Sequence, residues 1–128
     1  MHIPIWRMIS ARPERVANRA RSWAAKLQAR GIPARTRRGE STIGGGSLPG
    51  ETLPTTLLAL DAAQLPLPLD ELAKHLRLRS TPIITRILRG TLLLDPRTVL
   101  EEQDEEVIQA LGEEISNGYR SSPITMRT

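Results

Sequence analysis

Apolar side chains recur at helical spacing in three separate parts of the chain. The first recurrence runs from Val16 to Leu27, between Ser10 as a capping residue and Gly31 as a stop. The last one follows a cluster of acidic residues, which a helix dipole favours at the N-terminal end. These patterns predict helices over about residues 11–30, 69–79 and 101–116.

Shorter apolar and β-branched runs alternate with these helices and have the length of strands. They predict strands over residues 32–37, 55–60, 82–88 and 91–95. Pro33 weakens the first strand and places it at an edge, and Arg89-Gly90 is a connection of the length that closes a β-hairpin. The order helix, strand, strand, helix, hairpin, helix predicts an α+β fold, with a small, mostly antiparallel sheet and helices packed on one face.

The size of the chain, 128 residues, suits one domain with a single core. We expect a lead-in segment over residues 1–9, the folded domain over 10–116 and a flexible tail over 117–128. The absence of cysteine excludes disulfides, thiolate metal sites and a cysteine nucleophile. No apolar run approaches the roughly 20 residues of a membrane span, and the first residues lack the apolar core of a signal peptide. These features predict a cytoplasmic protein without a membrane partner.

The net charge of +4 is unevenly distributed. Nearly all charges between Arg7 and Arg38 are basic, whereas residues 101–106 are acidic. A cationic helix flank suits RNA phosphates, although the three aromatic residues make a base-stacking platform a poor interpretation. The alternatives are a solvated face or contact with an acidic neighbouring subunit. The candidate RNA contacts are Arg12, Arg15, Arg19, Lys26 and Arg30.

The densest local signal is the segment IGGGSLPGETLP, residues 43–54. From Gly45 it matches the phosphate-binding P-loop except that Glu51 replaces the lysine, and a carboxylate there repels phosphate. Pro54 also indicates an extended exit instead of the required helix. Ser47 has no evident base beside it. The three glycines therefore indicate either close approach to another backbone or ligand, or a purely structural loop.

Side chains for metal binding or catalysis are scarce. His2 and His75 lack a second ligand at helical spacing, so we expect no metal site. No residue of the chain is predicted to be catalytic.

Four separate segments resemble a known family in order and spacing. They are IPIWRMI at residues 3–9, the glycine-rich segment at 43–54, PIITRI at 82–87 and LLLDPRTV at 92–99. Over roughly residues 2–112, the chain resembles the C-terminal part of bacterial L-seryl-tRNA(Sec) selenium transferase. Related lyase-like members of the same pyridoxal-phosphate superfamily share the glycine-proline loop. The resemblance implies the small C-terminal domain of an aspartate-aminotransferase-fold enzyme.

In that family, a homo-oligomeric enzyme converts seryl-tRNA(Sec) to selenocysteinyl-tRNA(Sec), using pyridoxal phosphate and selenophosphate. The cofactor lysine belongs to a large domain that precedes the matched region, and neither Lys26 nor Lys74 aligns with it. The resemblance thus implies partnership with that large domain and with tRNA, no cofactor bound by this chain alone, and no activity by itself. The alternative is a stand-alone, non-catalytic basic module that binds RNA or a protein partner.

The resemblance also implies residues at the active-site mouth. These are the glycine-rich loop and Arg86, since small domains of this superfamily supply an arginine to a substrate carboxylate or phosphate. Thr85 and Leu88 depart from the glycine and the acid that the family places around this arginine, and an exposed strand arginine is the alternative. Arg7 and Arg97 match family positions as well; the alternative for Arg97 is neutralisation of the acids that follow it. The loop residues are Gly44, Gly45, Gly46 and Ser47.

Overall fold

A computed structural model describes residues 12–42 and 52–121, without the side chains of residues 42, 52 and 118–121. The helices in these ranges are α1 (Pro13–Ala29), α2 (Leu69–Arg77) and α3 (Asp104–Ser121). The strands are β1 (Arg35–Thr42), β2 (Thr52–Asp61), β3 (Arg86–Leu88) and β4 (Thr91–Leu94). Short 3₁₀ turns occupy Ala62–Gln64, Pro96–Thr98 and Glu101–Gln103. The element order is the predicted one.

The first helix ends as predicted but begins later. Pro13 is its first residue and Arg12 is the N-cap, without a side-chain cap, so the prediction that Ser10 caps this helix is wrong. Proline is preorganised for the first helical position and needs no partner for a missing N–H, which accounts for the start. At the other end, Gly31 has φ of 81° and the amide of Ile32 donates to the carbonyl of Leu27. This left-handed termination confirms Gly31 as the stop.

The four strands form one antiparallel sheet in the order β1-β2-β4-β3. Strand β1 lies at one edge, as predicted, and β3 lies at the other. Arg89 and Gly90 close the β3–β4 hairpin with φ of 50° and 78°. Two consecutive positive φ values match the right-handed twist of the strands that they join. The α+β prediction is confirmed.

The helices cover one face of this sheet. The apolar faces of the three helices pack on the alternate side chains of β2 and β4 that point to the same side. Trp23, Leu72 and Leu111 are among the buried helix residues. The sheet contributes Leu58, Leu60, Leu92 and Leu94. The opposite sheet face therefore carries the intervening residues, including a small separate cluster of Leu57, Ala59 and Leu93.

Several predicted boundaries differ from the structure, and strand β1 also extends to Thr42 instead of residue 37. Strand β1 begins at Arg35 instead of residue 32, because Ile32 and Pro33 belong to the turn after α1. Strand β3 begins at Arg86 instead of residue 82, and the amide of Ile83 donates to Leu76 of α2. Helix α3 continues to Ser121, beyond the predicted end at residue 116. Gly118 costs a helix only about 1 kcal/mol, which is too little to end it.

Two glycines lie close to side chains, and we expect their replacement by alanine to change the free energy of unfolding in opposite directions. A Cβ at Gly39 would lie 2.6 Å from Leu57 Cδ1, whose side chain is buried, whereas a Cβ at Gly112 would meet only the mobile end of Arg30. We expect Gly39→Ala to lower the free energy of unfolding by about 1–3 kcal/mol through overpacking. Gly112→Ala lies in α3 and should raise it by up to about 1 kcal/mol. Urea denaturation of both variants measures this, and equal midpoints would contradict it.

Within the described ranges, no helix combines the length and apolar character needed to cross a membrane.

Candidate functional site

The sheet face opposite the helices carries an arginine at each edge. Cross-strand pairing aligns Arg35 of β1, Ala59 of β2, Leu93 of β4 and Arg86 of β3 in one row. Side chains directly opposite each other in antiparallel strands point to the same face. The row therefore has two cationic ends and an apolar centre, which is buried, since Ala59 and Leu93 have 0% and 3% of their surface exposed. We call this surface the open face only to distinguish it from the face on which the three helices pack.

The two cationic ends differ in their partners. Arg35 donates to both carboxylate oxygens of Asp61, at 3.1 and 2.9 Å. This pair, with a further hydrogen bond from Thr91, lowers the pKa of Asp61. Arg86 is exposed, and its Nη2 lies 3.5 Å from the carbonyl oxygen of Glu40, which is long for a hydrogen bond. Among the residues that the structure describes, it contacts no carboxylate, so its guanidinium has donors available for an anion.

Arg86 borders a pocket of about 160 Å³ at one end of the open face. We call it the Arg86 pocket. Thr85 is one of its lining residues, and among the described residues its buried hydroxyl has no hydrogen-bond partner. Burying such a group without a partner is costly, so a polar group that reached it would be favoured. The lining residues are Ser41, Ile84, Thr85, Arg86, Leu93, Asp95 and Thr98.

A buried carboxylate, Asp95, forms part of the same wall and joins three chain segments. It accepts hydrogen bonds from the hydroxyl of Ser41 in β1, from Thr55 Oγ1 in β2 at 2.8 Å and from the amide of Arg97 at 3.0 Å. Asp95 directly follows β4, and its side chain caps the 3₁₀ turn Pro96–Thr98. Asp95 thereby ties β1 and β2 to the end of β4 near the point where those two strands join residues 43–51.

Arg97 is also buried, with 4% of its surface exposed. Its Nε and Nη2 donate to the carbonyl oxygen of Pro54, at 3.1 and 2.9 Å. Burial lowers the pKa of Arg97, and nearby Asp95 opposes this shift. The contact does not fit the alternative that Arg97 neutralises the acids that follow it, because its described contacts hold the first residues of β2.

The predicted RNA-contact residues of α1 lie mainly against the acidic start of α3. Arg15 pairs with Glu101, Arg19 with Asp104 at 2.6 Å and Lys26 with Glu105 at 2.5 Å. Lys26 is the main cause of the lowered pKa of Glu105, and Arg30 contributes less. Within this chain, these cations of α1 thus face the acids at and just before the start of α3.

Arg19 is the most deeply placed of these cations, with 12% of its side chain exposed. Besides Asp104, it donates to the carbonyl oxygens of Pro96 at 2.8 Å and Val99 at 2.9 Å. Its guanidinium lies 5.4 Å from the ring centroid of Trp23, within the range of a cation–π contact. Arg19 therefore joins α1 to the segment that follows β4.

The remaining predicted residues divide into two groups. Gly44, Gly45, Gly46 and Ser47 lie outside the described residues, and Arg12 is exposed at the N-cap of α1.

No group of side chains in residues 12–42 and 52–121 could hold a metal ion, and His75 Nδ1 lies 3.6 Å from Glu114 Oε1. Both lysines are exposed on helices, away from the open face.

Sequence reasoning missed Asp95, Ser41 and Thr55 as one cluster. Part of the signal was readable, because Asp-Pro-Arg-Thr after a strand is typical of a turn capped by the aspartate side chain. The partners in β1 and β2 depend on the strand order β1-β2-β4, which no local pattern contains.

Comparison with known proteins places these features in a family context. The profile of the L-seryl-tRNA selenium transferase family matches residues 1–100. The L-seryl-tRNA(Sec) selenium transferase of Geobacter sulfurreducens is 39% identical over 115 residues, which cover 87% of this chain and 24% of that protein. The enzyme of the same name from Clostridium perfringens is 43% identical over 77 residues, which cover 59% of this chain and 16% of that protein.

The match concerns only the C-terminal part of these relatives. The chain spans about a quarter of the length of the first of them. Among solved structures, D-glucosaminate-6-phosphate ammonia-lyase superposes with a TM-score of 0.54 at 21% identity, over 80% of this chain and 27% of that one. This likeness shows a shared fold.

Proposed function

This chain belongs to the L-seryl-tRNA selenium transferase family, and we propose that it is the C-terminal domain of an enzyme that converts seryl-tRNA(Sec) to selenocysteinyl-tRNA(Sec). The match to the C-terminal quarter of relatives with that name carries the proposal. The enzyme would use pyridoxal phosphate and selenophosphate and act as a cytoplasmic homo-oligomer. The larger part that the relatives possess would be the main partner of this domain.

The side chains of this chain do not fit the binding of pyridoxal phosphate. Such a site needs a lysine that forms a Schiff base with the cofactor. Lys26 is exposed and paired with Glu105, and Lys74 is exposed on α2. Neither lines the Arg86 pocket. The domain therefore contributes binding and orientation, and we propose no chemical step on its own residues.

The open face is the surface best suited to that contribution. Helices cover the other face of the sheet, whereas Arg86 presents its guanidinium beside a pocket on this one. A planar guanidinium binds carboxylate or phosphate with two parallel hydrogen bonds. We propose that the open face is directed towards the catalytic part and that Arg86 binds an anionic group of the substrate there.

Contact with tRNA is part of the same proposal. Arg15, Arg19 and Lys26 are paired with acids at or just before the start of α3, which reduces their availability for phosphates. Arg12 and Arg30 carry the proposed contact instead. Phosphate contacts of this kind give affinity that falls with added salt and read no sequence.

The test is a conversion assay on the protein at the full length that its gene encodes. With pyridoxal phosphate and selenophosphate, we expect seryl-tRNA(Sec) to become selenocysteinyl-tRNA(Sec), measured by mild alkaline hydrolysis of the ester and identification of the released amino acid. The 128-residue chain alone should give no product. If the full-length protein forms none while the Geobacter sulfurreducens relative does in parallel, the proposal is wrong.

A further inference from the structure

The Arg86 pocket combines a cation that attracts anions with a carboxylate that repels them. Arg86 and Asp95 line the same pocket of about 160 Å³. Asp95 is buried, with 9% of its surface exposed, so water screens its charge poorly. An anion that binds Arg86 therefore experiences repulsion from Asp95, except as far as the nearby Arg97 guanidinium and local hydrogen-bond donors offset that charge.

The structure supplies these donors from three directions. The hydroxyls of Ser41 and Thr55 and the amide of Arg97 all donate to the Asp95 carboxylate. Hydrogen bonds to a charged group are stronger than those between neutral groups, and they direct the positive end of each donor dipole at the charge. Together they decrease the negative potential that Asp95 creates in the pocket.

Thr55 acts from behind the pocket wall, because, like Arg97 and unlike Ser41, it does not line the pocket. Its side chain is buried, with 5% of the residue exposed, and its hydroxyl lies 2.8 Å from Asp95 Oδ1. The β1–β2 ladder already sets the strand register there, where Thr55 lies opposite Gly39. The register therefore does not depend on this hydroxyl. Its effect on a ligand is transmitted through Asp95.

We infer that Thr55 and Asp95 form a positioning pair that sets the affinity of the Arg86 pocket for an oxyanion. The Thr55 hydroxyl holds Asp95 Oδ1 and offsets its charge, and Asp95 holds the Ser41 hydroxyl in the wall. A carboxylate or a phosphate ester can supply the oxyanion, since both accept the hydrogen bonds of Arg86. The inference deepens the proposed function of Arg86 and rests on it.

The test measures binding of inorganic phosphate to the full-length protein by titration calorimetry. The Arg86→Gln variant defines the heat that belongs to other phosphate sites. We expect Thr55→Val to weaken the Arg86-dependent binding about tenfold, because the Asp95 charge that this hydroxyl offsets then repels the anion more strongly. Thr55→Ser keeps the hydroxyl and should retain the phosphate affinity of the unmodified protein. Valine keeps the shape of the threonine side chain but lacks the hydroxyl.

A matched control separates this effect from loss of stability. Thr91 is buried on the same face, and its hydroxyl donates to Asp61 at 2.9 Å, outside the Arg86 pocket. Thr91→Val thus deletes a comparable bond and should leave phosphate affinity within about twofold. Equal weakening by Thr55→Val and Thr91→Val, or no Arg86-dependent binding in the unmodified protein, would overturn the inference.

Phosphate and carboxylate probes distinguish the two sources of the oxyanion. The same titrations with acetate show which chemistry the Thr55→Val change affects more. The conversion assay is run separately on the same preparations. A protein that binds phosphate with the expected Thr55 dependence but forms no selenocysteinyl-tRNA(Sec) would retain the inference and refute the proposed activity.

Discussion

The Arg19→Met substitution is expected to destabilise the domain by about 2–4 kcal/mol. Arg19 binds the Asp104 carboxylate and the carbonyl oxygens of Pro96 and Val99. Methionine preserves much of the side-chain volume but leaves these partly buried acceptors without their donors. Urea denaturation at neutral pH, followed by circular dichroism, measures the change in the unfolding midpoint.

Arg15→Met is the matched control for this prediction. Arg15 lies one helical turn before Arg19 and also pairs with an acid near the start of α3, but its side chain is 67% exposed. Exposed ion pairs contribute little to stability, so the midpoint should hardly change. Arg19→Lys should lie between the two, since lysine keeps the charge and loses the planar fork. Equal midpoints for Arg15→Met and Arg19→Met would contradict the structural role of Arg19.

This pair of arginines also shows which information the sequence contained. The basic flank of α1 and the acidic start of α3 were both visible as patterns of charge. Their mutual contact joins residues about 80 positions apart, for example Arg19 and Asp104, and depends on how two helices pack on one sheet face. Charge patterning therefore left RNA, solvent and an acidic neighbouring subunit as alternatives for the flank, and it did not predict the contact with acids of the same chain.

The elements themselves were largely predictable because their signals are local. Helical periodicity identified α1, α2 and α3, and the Arg89-Gly90 connection identified the hairpin with the correct loop. The starts of β1 and β3 were misplaced, because Ile32 and Ile83 continue the apolar strand pattern while their amides donate to carbonyl oxygens of the preceding helices. Periodicity does not report where a backbone amide finds its acceptor.

The candidate site was predictable only in part. Arg86 was identified by resemblance, and the structure places it exposed on the open face beside a pocket. The buried partners of that pocket were missed, since Ser41 and Thr55 reach Asp95 across sequence separations of 54 and 40 residues. Their hydroxyls look like ordinary strand residues until the strand order β1-β2-β4 brings them together.

Arg86→Gln in the full-length enzyme is expected to lower kcat/KM for seryl-tRNA(Sec) conversion by about 10- to 100-fold. The estimate follows from the loss of one or two hydrogen bonds between a charged donor and a charged acceptor, at about 1.5–3 kcal/mol. Glutamine retains a polar side chain that fits the exposed position but cannot form the charged fork. Arg86→Lys should recover part of the loss, because it restores the charge without the bidentate geometry.

The control for this prediction lies on the same hairpin. Arg89 is exposed in the β3–β4 turn and does not line the Arg86 pocket. Arg89→Gln removes one positive charge from the same hairpin, so it should change kcat/KM by no more than about twofold if the effect is specific to Arg86.

Steady-state kinetics with subsaturating tRNA, at two salt concentrations, distinguishes a specific anion contact of Arg86 from a general attraction of tRNA by positive charge. A general loss of tRNA attraction would lower kcat/KM equally in both variants and would diminish as salt is added, whereas a specific anion contact affects Arg86→Gln at both salt concentrations.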